Sequence, residues 1–582
     1  MMNIDPITRE IIQNALAAAA DEMAVALYRT AYSTVVRDCL DYSTSLCDAN
    51  GDMIAQGVTI PLHLGAVPYA METLFETFSD DMEPGDIFVM NDPFGGGMHI
   101  PDIFVVKPIF WEEERIAFSV STAHHLDLGG RLPGSSACDN TEIFHDGLRI
   151  PWLKLYHRGV ADEALFALLR ANVRVPHMTL GDLNAQLSAC HIGERSILEL
   201  TARYGIETFK NGTAELIDYT ERLVRGEIAS WPDGNSTFVD YLDSDGVGGP
   251  RVKLEVTITV NGDSLVADFT GSDPQVPGAI NNSLSFTASV ATLCVRSVLG
   301  EEIPNTAGMF RPIKIVTEPG TIVHGVMPAA SSMRGITGFR LADAVFGALS
   351  AILPDRVMAA GEGGNSLIII GGELEDKSPY VYFELMCGNW GGRPDRDGID
   401  GITNPANVAS NVPIEQAECE YPILINRYGL VNDSGGPGKY RGGMAIEREW
   451  ILLRDDAHLA IRSDRRDHPP YGLYGGKSGT PSNTILYDVD SRDGSVLPTM
   501  ISTRLQEGQR VYHRQPGGGG WGNPLERDPM LVANDVQNDK VSVQSARNDY
   551  GVALDPTTLL ICETETTKLR AKKRINATKE KL

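Results

Sequence analysis

The sequence predicts an α+β fold: large, mixed and multi-domain, with a helical N-terminal part and a β-rich C-terminal half. Three observations lead there. Helical apolar spacing, opened by a capping aspartate and a proline, marks the start of the chain, and further helical stretches fill residues 160–230. Alternating apolar and polar residues on both sides of Asn261-Gly262 mark a hairpin. Beyond residue 360, glycine and proline punctuate short apolar runs. The length of 582 residues exceeds what one core usually holds, and at ~150 residues per domain it allows three or four units.

The elements follow in order. Asp5 can cap a helix, Pro6 suits its first turn, and apolar residues continue with helical spacing from Ile11 to Tyr32. Strands are expected at Ser43 to Cys47 and Met53 to Gln56, joined through the turn Asp48-Ala-Asn-Gly51. A helix is expected from Ala66 to Phe78, and buried strands at Ile87 to Met90, Ile103 to Phe110 and Ile116 to Ala123. The glycine-rich stretch from Asn91 to Asp102 reads as a loop between two of these strands. Three helices are predicted at Ala161 to Ala171, Thr179 to His191 and Gly193 to Gly205, and paired strands at Arg251 to Val260 and Ser264 to Thr270.

Composition narrows the function. A net charge of −27 repels phosphate backbones and argues against nucleic acid as a partner. No stretch approaches the ~18 apolar residues of a membrane span, and the N-terminus lacks the pattern of a signal peptide, so a cytoplasmic protein with no membrane contact is expected. The eight cysteines form no Cys-x-x-Cys pair and are expected to be reduced and mostly buried. The last fifteen residues, from Lys568, carry seven basic side chains against one acidic, a solvated tail or a docking segment for an acidic partner.

Five of the twelve histidines (His63, His99, His124, His125 and His145) fall within about a seventh of the chain, with Asp41, Asp102 and Asp127 in or near that span. Imidazole and carboxylate together suit Zn, Mn or Fe. His99 and Asp102 lie in the glycine-rich loop and His124 at a strand end, where rigid scaffolds hold reactive groups. This sets a division into residues 1–230 with the candidate metal site, 231–530 as a β-rich mixed α/β region, and 531–582 as a helical segment with a basic tail. Cys138 could be a nucleophile, a ligand or a buried thiol. Gly472-Leu-Tyr-Gly-Gly-Lys-Ser478 imitates a phosphate loop, but Tyr471 stands where its first glycine belongs, so no cofactor-binding nucleotide site is expected in this chain.

Several stretches together resemble the hydantoinase B/oxoprolinase family along residues 4–555. They are Asp5-Pro-Ile-Thr-Arg-Glu10, Asp41-Tyr-Ser-Thr-Ser-Leu-Cys-Asp48, Ile60-Pro-Leu-His-Leu-Gly65, Asn91-Asp-Pro-Phe-Gly-Gly-Gly-Met-His-Ile-Pro-Asp102 and Ala123-His-His-Leu-Asp-Leu-Gly-Gly130. Glu142-Ile-Phe-His-Asp-Gly-Leu-Arg-Ile-Pro151, Asp268-Phe-Thr-Gly-Ser-Asp273 and Pro516-Gly-Gly-Gly-Gly-Trp-Gly-Asn-Pro524 extend the likeness. The resemblance implies the B-type subunit of an ATP-dependent hydrolase of cyclic amides (hydantoins, 5-oxoproline or lactams such as caprolactam). Its A-type partner would bind ATP and Mg and phosphorylate the substrate, in a two-plus-two heterotetramer. The His-x-x-Asp pair and later histidine of related carboxylases map onto His99, Asp102 and His124, with Asp41 as a fourth ligand for a divalent metal, zinc in preference to manganese. Where many hydantoinases have Phe-Gln-Glu-Gly, this chain has Phe144-His-Asp-Gly147. The departure makes His145 an extra ligand or proton carrier, and His145 or His125 would pass a proton to the leaving nitrogen. A separate chain of this length resembles the hydantoinase or lactamase branch. The rival readings are a subunit of an ATP-dependent ketone carboxylase, a metal-dependent amidohydrolase acting alone, and a non-catalytic scaffold subunit.

Overall fold

A computed structural model describes residues 4–79, 81–362 and 366–579. The first helix, α1 (Pro6–Thr30), starts where its cap predicts: the Asp5 carboxylate accepts from the backbone N–H groups of Ile7 and Thr8. Its buried stripe of Ile12, Leu16, Ala20, Met23 and Leu27 packs on Ala185, Ala189, Ile197 and Leu200 of a long helix described below. A short helix, α2 (Thr34–Arg37), leads into the strands β1 (Tyr42–Asp48) and β2 (Met53–Gln56). Helices α3 (Pro61–Leu64) and α4 (Val67–Phe78) follow, then β3 (Ile87–Met90), β4 (Asp102–Trp111), β5 (Glu114–His124), β6 (Leu153–His157) and β7 (Val160–Ala161).

These strands form one seven-stranded sheet in the order β2-β1-β5-β4-β3-β6-β7, with every pairing antiparallel. The N-terminal part is therefore less helical than its ends imply, because its middle holds the largest sheet of the described residues. Helices α5 (Glu163–Asn172), α6 (Pro176–Tyr204) and α7 (Ile206–Ile228) close this part. The two helices expected on either side of Ile192 are one, α6. Gly193 does not break it, since a side chain there would collide with Met23 Sδ at 2.6 Å and Ser119 Cβ at 2.8 Å. This glycine lets the helix lie against the sheet and α1.

A second sheet has the order β11-β10-β9-β8, built from β8 (Gly234–Leu242), β9 (Val252–Asn261), β10 (Ser264–Asp268) and β11 (Ile313–Val316). The β9–β10 turn carries Gly262 at φ +59°, as the Asn-Gly signal predicts. Helices α8 (Leu284–Arg296) and α9 (Gly335–Ile352) pack on each other and on this sheet. By length and composition α9 could cross a membrane, which corrects the expectation that no stretch comes close. It is instead a core helix, 89% buried. A third sheet joins β12 (Leu367–Glu373) and β13 (Pro379–Leu385) to Ala457–Arg462 and Met500–Leu505. A five-stranded sheet follows, spanning Ile423–Leu430 to Arg510–Arg514. One hydrophobic cluster runs from Val35 to Met500 and takes in parts of the first three sheets. The basic segment forms a helix over Glu563–Lys579, and residues 580–582 of the expected tail lie outside the described residues.

Candidate functional site

The register of the first sheet builds the site. In β4 and β5, Asp102 pairs with His124. In β1 and β5, Tyr42 pairs with Ala123, which brings Asp41 beside His124, whose N–H donates to the Asp41 carbonyl at 3.0 Å. Asp41, His124 and Asp102 thus stand in a row at one end of three adjacent strands. His99 joins from the turn into β4, where its carbonyl accepts from Asp102 N–H at 3.0 Å. His63, on α3, donates to or accepts from Ser43 Oγ at 2.9 Å and lies 3.3 Å from Asp41 Oδ1.

All five side chains line one buried cavity of about 40 Å³. Ser332, Arg334, Phe383 and Arg462, far along the chain, complete its wall. At 10–15 Å³ for each water, this conformation holds roughly three waters.

Electrostatics divide these groups into ionised carboxylates and neutral imidazoles. Burial alone would raise Asp102, but His99 and the Arg334 guanidinium outweigh it and hold this carboxyl well below its usual range. Asp41 is lowered too, against burial, by His63 and His124. His99 Nδ1 lies 2.6 Å from Asp102 Oδ2, and Arg334 Nη2 bonds that same oxygen and approaches His99 Nδ1 at 3.1 Å. Burial, reinforced by Arg334, pushes His99 down to about 3, and burial lowers His124. Both rings are neutral at pH 7. With Nδ1–H donated to Asp102, His99 keeps the Nε2 lone pair free for a ligand.

Asp102 Oδ1 and His124 Nδ1 are buried with no hydrogen-bond partner, a costly state for polar atoms unless something binds there. In kind, the donor set of two neutral imidazoles and two carboxylates fits a divalent ion. Among the described residues no three such side chains already stand in metal-holding positions. Arg334 covers Asp102 Oδ2, so holding an ion requires that guanidinium to yield ground.

The structure brings Asp41, His99, Asp102 and His124 together, but not His125 or His145. His125 is fully buried on the other side of the sheet, with Nε2 2.9 Å from Gln186 Oε1 of α6, because successive side chains of a strand point to opposite faces. His145 stands on an exposed turn with Nε2 3.2 Å from Glu142 Oε1. Neither lines the cavity. Asp127 is a staple: its carboxylate accepts from the N–H groups of Gly129, Gly134 and Arg174 and from the Arg174 guanidinium. Cys138 is a buried thiol, pushed up to about 12 by burial, with Sγ 3.2 Å from the Ile461 carbonyl. The false phosphate loop serves packing. A side chain on Gly476 would meet the Gly520 carbonyl at 2.0 Å, so the glycine-rich segments lie backbone against backbone.

Arg334 and Arg462 were invisible in sequence, since no motif surrounds them. His63 was visible within the histidine cluster, and only its place in the cavity was missing.

The chain matches the family model for hydantoinase B/oxoprolinase over residues 5–524. It is 33% identical over 566 residues to the caprolactamase subunit beta of Pseudomonas jessenii, covering 95% of this chain and 97% of that one. The crystal structure of the ATP-dependent caprolactamase from Pseudomonas jessenii superposes with a TM-score of 0.91 at 31% identity, covering 98% of this chain and 100% of that one. Acetone carboxylase in its nucleotide-free form gives 0.90 at 20% identity over 99% of this chain and 83% of its own, a likeness of fold alone. This chain belongs to the hydantoinase B/oxoprolinase family.

Proposed function

We propose that this chain is the B-type subunit of an ATP-dependent enzyme that opens cyclic amides, and that it hydrolyses a substrate phosphorylated by an A-type partner. The observation that carries the reading is the row of Asp41, His124 and Asp102, with His99, on one buried cavity, in a chain similar to a caprolactamase subunit. The partner binds ATP and Mg, and the assembly is a two-plus-two heterotetramer in the cytoplasm.

An amide resists attack because resonance stabilises it and its nitrogen leaves poorly. A phosphoryl group on the amide oxygen removes that resonance, and a cavity lined by buried side chains limits how much bulk water reaches the activated carbon. Water adds to the activated carbon, the ring C–N bond breaks, the nitrogen takes a proton, and a second water releases phosphate and the free carboxylate. A divalent ion, zinc before manganese, would be held by Asp41, His99, Asp102 and His124, and when bound would lower the pKa of a water towards ~7 or polarise the substrate. Neutral His99 and His124 supply lone pairs, and Arg334 orients Asp102. His63 is the one cavity imidazole outside this set, placed on Asp41 to hold or hand over a proton. His125 and His145, nominated by sequence, would reach the ring only after rearrangement.

Elemental analysis of the chain co-expressed with its partner tests the reading. About one equivalent of zinc or manganese, lost in His99→Ala, is expected, together with ATP-dependent opening of hydantoin, 5-oxoproline or caprolactam. No metal and no ATP-dependent opening of any of these rings would sink it. A ketone carboxylase is the second reading, favoured by the two guanidiniums on the cavity, which also suit bicarbonate. Bicarbonate dependence with a new carbon–carbon bond in the product would select it.

A further inference from the structure

Beside the histidines, the cavity wall carries a second chemistry. Ser136 and Ser332, 1% and 2% exposed, line the cavity; the Ser136 hydroxyl has no hydrogen-bond partner, and the Ser332 hydroxyl lies within reach of the Asp146 carboxylate alone. A serine hydroxyl loses about 1–3 kcal/mol when buried unbonded, so Ser136 marks a place where a ligand accepts a hydrogen bond, with a second hydroxyl, Ser332, on the same wall. Arg334 and Arg462 line the same wall and are 5% and 4% exposed.

Helix α9 begins at Gly335 on this wall, and no side chain caps it. The Ile336 N–H already bonds the Met333 carbonyl at 3.1 Å, so what the start of the helix adds at the cavity is the positive end of its dipole. Gly335 leaves room for Arg462: a Cβ at this position would meet its guanidinium at 2.9 Å and displace it. The turn that carries Ser332 and Arg334 is fixed from below by Asp146, whose Oδ2 accepts from the N–H groups of Ser331 and Ser332 at 2.8 and 3.0 Å. Donors and positive charge thus converge from three segments of chain on a space the size of a few waters.

We propose that Ser136, Ser332, Arg334, Arg462 and the start of α9 form a binding site for a phosphoryl oxyanion, the group carried by the activated substrate and released from it as inorganic phosphate. The inference rests on the reading of this chain as the subunit that receives a phosphorylated substrate. Hydroxyl and guanidinium donors with a helix N-terminus are the usual partners of phosphate oxygens. A cavity of about 40 Å³ accommodates a tetrahedral ion and not a whole ring in addition, so the ring lies outside this space while the phosphoryl group is held in it. The two guanidiniums balance the carboxylates of Asp41 and Asp102 on the cavity. A phosphate dianion is therefore neutralised in full when a divalent ion is held as well, and phosphate and metal should strengthen each other's binding.

The test uses inorganic phosphate and two preparations. In the first, calorimetry on the purified full chain with one equivalent of zinc or manganese measures phosphate affinity. One phosphate per chain is expected, weakened roughly tenfold or more in Ser136→Ala/Ser332→Ala and in Gly335→Ala. Thermal unfolding of each variant shows that it is folded. In the second, the complex with its partner turns over caprolactam or hydantoin, and ADP formed is compared with ring opened. The ratio should rise several-fold in the double serine variant, because an activated ring that is poorly held decays back to the amide.

A lower affinity with an unchanged ratio assigns the site to released phosphate alone. Unchanged affinity and unchanged ratio in folded variants overturn the inference, as does a preference for bicarbonate over phosphate. Phosphate binding without any ring opening would leave this site standing and remove the proposed function. Ring opening without phosphate binding would do the reverse.

Discussion

One helix, α9, carries two buried charged clusters of opposite character. At its start, Arg334 meets Asp102 and His99 beside a cavity, and Asp102 Oδ1, His124 Nδ1, Ser136 Oγ and Arg334 Nε lack partners. Two turns on, Arg340 donates Nε to Asp464 Oδ2 at 2.9 Å and Nη1 to both oxygens of Asp240 at 3.2 and 3.3 Å and to the His468 carbonyl at 3.0 Å. Arg465 binds Asp240 and Asp343 in the same cluster. No donor of Arg340 is left over, and only Asp343 Oδ1 and Arg465 Nε lack partners. Buried charges that satisfy one another join α9, β8 and the segment Asp464–Arg465, and hold the fold together. Buried polar atoms left unsatisfied around a cavity cost stability and earn their place by binding something.

The largest expected effect sits at the first cluster. His124→Ala should lower ATP-dependent ring opening by about a thousandfold or more while leaving the unfolding temperature within a few degrees of wild type, since the site removes a ligand and not a structural pair. Steady-state assays of the complex beside thermal unfolding check this, and retained turnover would break the contrast. Arg340→Met should do the opposite. It strands Asp240 and Asp464 in the core and should cost about 3–5 kcal/mol in denaturant unfolding, whatever happens to activity.

Asp146 sharpens the comparison with pH. Burial raises its carboxyl to about 6, against hydrogen bonds from Ser331, Asn140 and Ser332 that lower it. The folded value lies above the unfolded 3.8, so the folded chain takes up the proton more readily. The stabilisation is complete below about 3.8 and is lost as pH rises through about 6, a change of order 3 kcal/mol. Denaturant unfolding at pH 5 and 7 should show a pH dependence in wild type that is shallower in Asp146→Asn. Equal slopes would show that this carboxylate does not titrate there. The smallest effect belongs to Cys138→Ala, which should cost about 1 kcal/mol and keep turnover, as expected for a buried thiol that only fills space. Lost turnover in a folded variant would bring the thiol into the chemistry.

Sequence alone determined the local elements and the kind of chemistry. The Asp5 cap, the Asn261-Gly262 turn and the strands around the glycine-rich loop are legible because capping, turn geometry and side-chain alternation act over a few residues. Strand-end and loop positions flag His99, Asp102 and His124 in the sequence, and the family resemblance adds Asp41 and the ligand role, so the candidates could be named before any contact was visible. The histidines beside them were harder, because a His-His pair does not tell which ring faces the cavity. Only the pairing of β5 with its neighbours turns His124 inward and leaves His125 on α6.

Tertiary structure decided the rest. Gly193 reads as a helix end until Met23 and Ser119 are packed against it. α9 passes for a membrane span by length and composition, but it packs on α8 and on β8 and β9 of the second sheet. Arg334 and Arg462 carry no local signal at all. They lie more than 200 residues from the histidines, and their role depends on long-range contacts that no short window of sequence encodes.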